Sequence, residues 1–296
     1  MTSVAVVAHK DKRLDGGLPE LRAVLAANGV TDPLWFEVPR SAKAPKCIRR
    51  AVKAGADLVF VWGGDGMVQR CVDSAAGSGV DLAILPAGTA NLLATNLGIP
   101  KSLDEAVAIG LSGIRRSIDV GVLNGERFAV MAGAGIDARI MGEVDRSTKQ
   151  RLGRFAYFRA GGQALGAPRR HMRIKVDGRL WFDGKASCVL FGNVGTITRG
   201  LQVFPDARPD DGRLEIGVVT AHRWTQWVGV LTRLLSHHPD RSPAVTITHG
   251  RKCSVRFDEP ISYELDGGAR PETTKLRVGL ECGAVRVCVP DRTNGA

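Results

Sequence analysis

Within its first 121 residues this chain repeats one pattern: a short apolar run, a helical stretch, then another apolar run. The runs VAVVAH (4–9), PLWFEV (33–38), DLVFVW (57–62) and DLAILP (81–86) scarcely alternate polar with apolar residues. Strands of that composition are buried on both faces, as in a parallel sheet covered by helices. Between them, LPELRAVLAANG (18–29) has Pro near its start and Gly at its stop, and KCIRRAVKAG (46–55) also ends on Gly, as helices do. SLDEAVAIGL carries Ser102 and Glu105 at capping-box spacing. Strands alternating with helices imply a parallel sheet with right-handed crossovers.

The texture changes near residue 122. Asn124-Gly125 and Asp177-Gly178 each stand between apolar runs, the strongest short-range hairpin signal. CVLFGNV, RLEIGVV, AVTIT, CSVRF, SYEL, KLRVGL and VRVCVP follow as strand-like runs, interrupted by two long helical stretches at about 147–165 and 222–236. The fold class expected is α/β: an N-terminal open parallel-sheet nucleotide-binding domain over 1–122, followed by a β-rich antiparallel sandwich domain over 123–296. The last residues are free to return to the first domain, and the cleft between domains is the default ligand site.

A net charge of +11 suits an anionic partner. Aromatics make up only 5% and no RNP-like or zinc-finger pattern is present, so no nucleic acid is expected. No run of about 18 apolar residues occurs, so no membrane span is expected. MTSVAVVAHKDKR reads as a buried strand rather than a signal peptide. The six cysteines form no CxxC pair and no zinc spacing; they read as reduced core residues of a cytoplasmic protein.

Two turns carry the chemistry. In VFVWGGDGMVQR an apolar strand runs into Gly63-Gly64-Asp65-Gly66 and then a helix. Glycines allow close backbone approach, and N–H groups at a helix start can converge on phosphate oxygens. Bare phosphate would repel Asp65, so it would engage Mg²⁺ or its waters; the alternative is a tight turn with Gly and Asp present for turn chemistry alone. LAILPAGTANLLATNLGIP repeats the plan, with Gly88, Thr89 and Asn91 between strand and helix. Thr89 or Asn91 could merely cap that helix. Two such loops on successive strands lie on the same sheet edge, where ligands of parallel sheets bind.

GGDG at 63–66, PAGTAN at 86–91 and LGIP at 97–100 resemble the diacylglycerol kinase catalytic-domain family, which includes bacterial lipid kinases and the sphingosine and ceramide kinases. The likeness runs on through NGERFAVMAGAGIDARI, RLGRFAYFRAGGQAL, FPDARPDDGRLEIGVV and LDGG, over nearly the whole chain. It implies that Gly63, Gly64, Asp65, Gly66, Met67, Gly88, Thr89 and Asn91 bind ATP. His9 and Lys10 fall at the family's N-terminal phosphate loop, whose Asn-Pro pair is missing here; a surface Lys is the alternative reading. Asp210 and Asp211 fall at the family's metal loop, or form a solvated turn before a strand. Asp137 falls near an acidic position linked to substrate hydroxyls.

The departures are Met67, Gln69 and Arg70 in place of Thr, Asn and Glu, Leu92 for an acidic residue, Thr95 for Arg, and Gly268 where the family has its general-base Glu. Read as one strand, YELDGG points Glu264, Asp266 and residue 268 to one face, so Asp266, or else Glu264, takes over the proton. The alternative reading of Asp266 is an Asp-Gly turn. HRWTQWVGVLTRLLSHH (222–238) reads as an amphipathic helix packed on the β domain, with membrane docking as the alternative. The resemblance thus implies an ATP- and Mg²⁺-dependent kinase for a diacylglycerol-like or sphingoid lipid, cytoplasmic and peripheral on the inner membrane face, with a homodimer left open. The rivals are a non-catalytic nucleotide or lipid sensor and an NAD kinase, against which PAGTAN and the missing Asn-Glu motif argue.

Overall fold

A computed structural model describes residues 2–135, 169–197, 201–236 and 238–291. The expected helix at 147–165 and Asp137 lie outside the described residues. The chain forms two compact units, one from residues 1–120 with 281–296, the other from 121–280.

The first unit is built on a parallel sheet. β1 (Val4–His9) pairs with β2 (Leu34–Val38) and with β3 (Leu58–Gly63), and β3 pairs with β4 (Asp81–Pro86). The end of the long strand β16 (Gly268–Val289) adds beside β4, Val287 opposite Leu82. Helices α1 (Leu18–Ala27), α2 (Ala44–Lys53), α3 (Asp65–Ala75) and α5 (Leu103–Ser112), with the short α4 (Leu92–Asn96), connect these strands. β1 and β3 are apolar on both faces because both are covered: Val6, Val7, Phe60, Val61 and Trp62 are fully buried. Ser102 accepts the Glu105 N–H, as the spacing predicts.

The second unit is antiparallel. β5 (Ile114–Leu123) turns through Asn124-Gly125 into β6 (Glu126–Phe128), and β8 (Arg170–Val176) turns through Asp177-Gly178 into β9 (Arg179–Ala186). One layer runs β14 (Val245–Gly250), β13 (Leu214–Val219), β10 (Cys188–Gly192), β7 (Met131–Ala134) and the end of β15 (Lys252–Leu265). The other runs β9, β8, the start of β15 and β16. Phe191, Ile216 and Val189 from the first layer and Ile174, Val255 and Leu276 from the second meet in one buried cluster, the core of a sandwich. KLRVGL and VRVCVP are not separate strands: both lie in the 22-residue β16. Four of the six cysteines are buried and all are free; Cys282 is exposed.

α5 approaches the parallel sheet closely through a glycine. A Cβ on Gly110 would stand 2.3 Å from Phe60 Cε1 and 2.8 Å from Ala83 Cβ, so Gly110→Ala overpacks the interior. The expected loss is about 1–3 kcal/mol, read as a lower urea midpoint in the intact protein.

Candidate functional site

The C-terminal ends of β1, β3 and β4 lie side by side, with Gly63 opposite Pro86. That edge gathers His9, the Gly63–Gly66 turn and the Gly88–Asn91 turn. The two turns touch: a Cβ on Gly88 would stand 2.4 Å from Gly64 Cα, an approach only paired glycines allow. The Asp65 carboxylate then bridges them. Oδ2 accepts the Asn91 N–H at 3.0 Å and Oδ1 accepts the Leu92 N–H. Asn91 stands at φ 52° and knits its own loop, accepting the Gly88 N–H at 2.9 Å and donating to the Pro86 and Gly88 carbonyls. It makes no side-chain cap on α4.

Both Asp65 oxygens accept backbone N–H groups, so the side chain fixes the shape of the phosphate-suited edge. Gly64 precedes α3, and the Asp65 and Gly66 N–H groups in the first turn have no acceptor inside the helix. The Met67 side chain is buried against Gly63, and its N–H donates to Gly64 O. Thr89 and Lys10 are exposed. His9 Nδ1 accepts the Asp11 N–H at 3.3 Å.

In the second unit YELDGG is a hairpin, not a continuous strand face. Asp266 and Gly267 stand at φ 45° and 79°, as in a two-residue type I′ turn, and Leu265 pairs with Gly268. Asp266 is therefore off the face on which it was expected. Its carboxylate accepts three backbone N–H groups, those of Ala129 (2.8 Å), Val130 (3.0 Å) and Met131 (2.9 Å). So engaged, it holds the loop before β7 to the hairpin. Glu264 differs. It stands opposite Ala269 and Gly133, and Gly133 stands opposite Leu190. Burial, helped by the Asp266 charge, pushes its carboxyl up to about 6. A carboxylate of that pKa takes a proton readily near neutrality. Gly268 has no left-handed φ, and a Cβ there would meet Arg270 Nη1 at 2.9 Å, the far end of a flexible side chain. Arg270 in turn is held by Glu126.

Asp210 and Asp211 lie in an exposed turn before β13, where Asp211 Oδ1 accepts the Arg213 N–H at 2.9 Å. Among the described residues no group of three His, Cys, Asp or Glu could hold a metal ion. Asp211 does line a cavity of about 690 Å³ with Asp206, Arg213, His249 and Glu215. Glu215, missed in the sequence because RLEIGVV reads as a plain buried strand, is 8% exposed. Burial first, then Asp206 and Asp211, raise its pKa.

The parallel α/β unit with two joined glycine turns on its carboxyl edge and the β sandwich that follows it each have known counterparts. Residues 11–123 match the diacylglycerol kinase catalytic domain and residues 130–289 the YegS C-terminal NAD kinase beta sandwich-like domain. A Pseudomonas aeruginosa protein named "Probable lipid kinase YegS-like" is 30% identical over 250 residues, 83% of this chain and 81% of its own. The "Diacylglycerol kinase" of Bacillus subtilis is 27% identical over 71% of each chain. A Bacillus anthracis diacylglycerol kinase structure superposes with TM-score 0.79 at 22% identity, covering 97% of this chain and 96% of that one. An Archaeoglobus fulgidus NAD kinase in complex with ATP shares the fold at TM-score 0.53 and 10% identity, over 98% and 94% of the two chains. The chain belongs to the diacylglycerol kinase catalytic-domain family, a family of lipid kinases.

Removing either engaged carboxylate separates its structural task from a ligand-binding one. Asp65→Ala and Asp266→Ala each leave buried N–H groups unpaired and should cost about 1–3 kcal/mol, read as a lower melting temperature. MgATP should raise the melting temperature of the wild type, and only Asp65→Ala should also abolish that rise.

Proposed function

We propose that the protein is an ATP-dependent lipid kinase that transfers the γ-phosphoryl group to a hydroxyl of a diacylglycerol-like or sphingoid lipid. The observation that carries this reading is the match of residues 11–123 to the diacylglycerol kinase catalytic domain, joined to Glu264, a half-buried carboxylate with a raised pKa of about 6, two residues before the Asp266-Gly267 turn. The nucleotide is assigned to the Gly63–Gly66 and Gly88–Asn91 turns; the Asp65 and Gly66 N–H groups at the start of α3, which have no acceptor inside the helix, suit phosphate oxygens. His9 and Thr89 stand at the same edge and complete that assignment. Mg²⁺ would come with the phosphates and neutralise their charge; no residue step is assigned to it.

In the reaction the lipid hydroxyl oxygen bonds to the γ-phosphorus as the bond to the bridging oxygen breaks and ADP leaves. The hydroxyl proton passes to the Glu264 carboxylate. Glu264 thus fills the task of the base that Gly268 lacks, and Asp266 holds the turn beside it. A second reading, a non-catalytic nucleotide or lipid sensor, draws support from Gly268, which stands where relatives carry a carboxylate, and from Asp266, whose carboxylate is engaged by three backbone N–H groups.

Radiolabelled ATP offered with a lipid panel and with NAD tests the proposal. Transfer to a lipid and not to NAD is expected; transfer to no lipid overturns it in favour of the sensor. Glu264→Gln should lower kcat by about two to four orders of magnitude. In the wild type kcat/KM should fall about tenfold per pH unit below about pH 6, because the base is then protonated. The native carboxyl holds its proton between the ordinary Glu value of 4.5 and about 6, so stability falls as pH rises through that window. Glu264→Gln should remove that fall and stabilise the protein at pH 7 by up to about 2 kcal/mol. Gly268→Glu should be tolerated, with Arg270 shifting aside, and should raise turnover by restoring a second carboxylate.

A further inference from the structure

The helix α6 (Trp224–Leu235) has no buried residue although half of it is apolar. His222 and Arg223 N–H groups donate to Gln226 Oε1 at 2.9 and 3.2 Å and close its first turn. The sequence presents one broad apolar face, but the fold divides it. Trp227 and Val230 pack against Cys188, Val219, Ala221 and Ala244. Trp224, Val228, Leu231 and Leu235, at spacings of four, three and four, form a second stripe about a quarter-turn away at roughly 100° per residue. Trp224 is 65% exposed, Leu235 54% and Val228 40%. An open Trp, Val and Leu stripe of this kind is the apolar half of a helix that lies in a membrane interface.

The charge around the helix points to an anionic surface. From Ala221 to Ser242, the helix and its two flanks, the sequence holds one carboxylate, Asp240, against Arg223, Arg233 and Arg241. The position of the helix adds the second argument. Leu190 packs on the same buried cluster as Trp227 and Val230, and Leu190, Gly133 and Glu264 stand side by side across β10, β7 and β15, so they share one sheet face. The Glu264 charge also acts on the Cys188 thiol beneath the helix. We propose that α6 docks the protein on an anionic lipid bilayer, its Trp224–Leu235 stripe in the interface and its arginines among the headgroups. This rests on the lipid kinase reading above, and it turns the Glu264 face toward the source of substrate.

A rival surface exists in the same unit. Arg173, Arg256 and Lys275 stand in one cross-strand row, and Lys175, Ser254 and Arg277 in the next. Like charges directly opposite destabilise a sheet, so that row also attracts anions. It lies on the outer face of the β8–β15–β16 layer, away from Glu264, and a bilayer cannot cover both outer faces of a sandwich.

Flotation with phosphatidylcholine vesicles, with and without phosphatidylglycerol, decides between them. The wild type should float with phosphatidylglycerol-containing vesicles and be released by salt. W224Q/L235Q, on an exposed face where folding is spared, should lower the partition coefficient at least tenfold, while R256A/K275A should change it less than threefold. Retained binding in W224Q/L235Q, whether or not R256A/K275A loses it, overturns the proposal. So does a wild-type dimer that W224Q/L235Q renders monomeric with no vesicle binding in either, since the stripe is then a subunit interface. Phosphotransfer to a detergent-dispersed lipid should be equal in wild type and W224Q/L235Q. If the wild type binds vesicles as expected but phosphorylates no lipid, the kinase reading fails while the docking surface stands.

Discussion

The carboxylate of Asp266 holds three consecutive backbone N–H groups, those of Ala129, Val130 and Met131, and much of the second unit follows from that grip. Those residues lead into β7, which sets the register of β10 on one side and of β15 on the other. The carbonyl side of the same segment is taken up as well: Val130 O accepts the Asn193 N–H and Ala129 O accepts from its side-chain amide. A charged acceptor shared among three donors is a strong hydrogen-bonding unit. It also places a negative charge near Glu264, whose raised pKa is caused first by burial and then by that charge. One turn residue therefore fixes the strand register and tunes the group assigned as base.

The first unit uses the same device. Asp65 reaches from the start of α3 to the backbone of Asn91 and Leu92 and ties two glycine turns into one edge. The glycines serve contact between the turns as much as contact with a ligand, since Gly64 and Gly88 meet at their Cα atoms. A carboxylate among phosphate-suited loops is thus compatible with anion binding, because its charge is spent on backbone donors.

The departures from the family pattern acquire a physical meaning in this setting. Gly268 removes one carboxylate from a hairpin that already holds Glu264 and Asp266, and the pair that remains differs sharply in environment. Asp266 accepts three backbone N–H groups, while Glu264 is partly desolvated and its carboxyl is pushed up by that burial.

The class of each unit was legible in the sequence because it depends on local periodicity. Unbroken apolar runs announced β1 to β4 as doubly covered strands, and the Asn124-Gly125 and Asp177-Gly178 dipeptides announced their hairpins. Asp266-Gly267 carries the same signal, and reading YELDGG as one strand overlooks it. The two glycine turns and the residues on them were equally legible. What Asp65 and Asp266 do was not, because their partners lie 26 to 27 and 135 to 137 residues away. A short carboxylate reads as a ligand or base until the fold shows which N–H groups surround it. The pKa of Glu264 and the division of the α6 face were likewise decided only in three dimensions. Burial is a property of the packed chain, and helical spacing tells which residues share a face but not which part of that face another element covers.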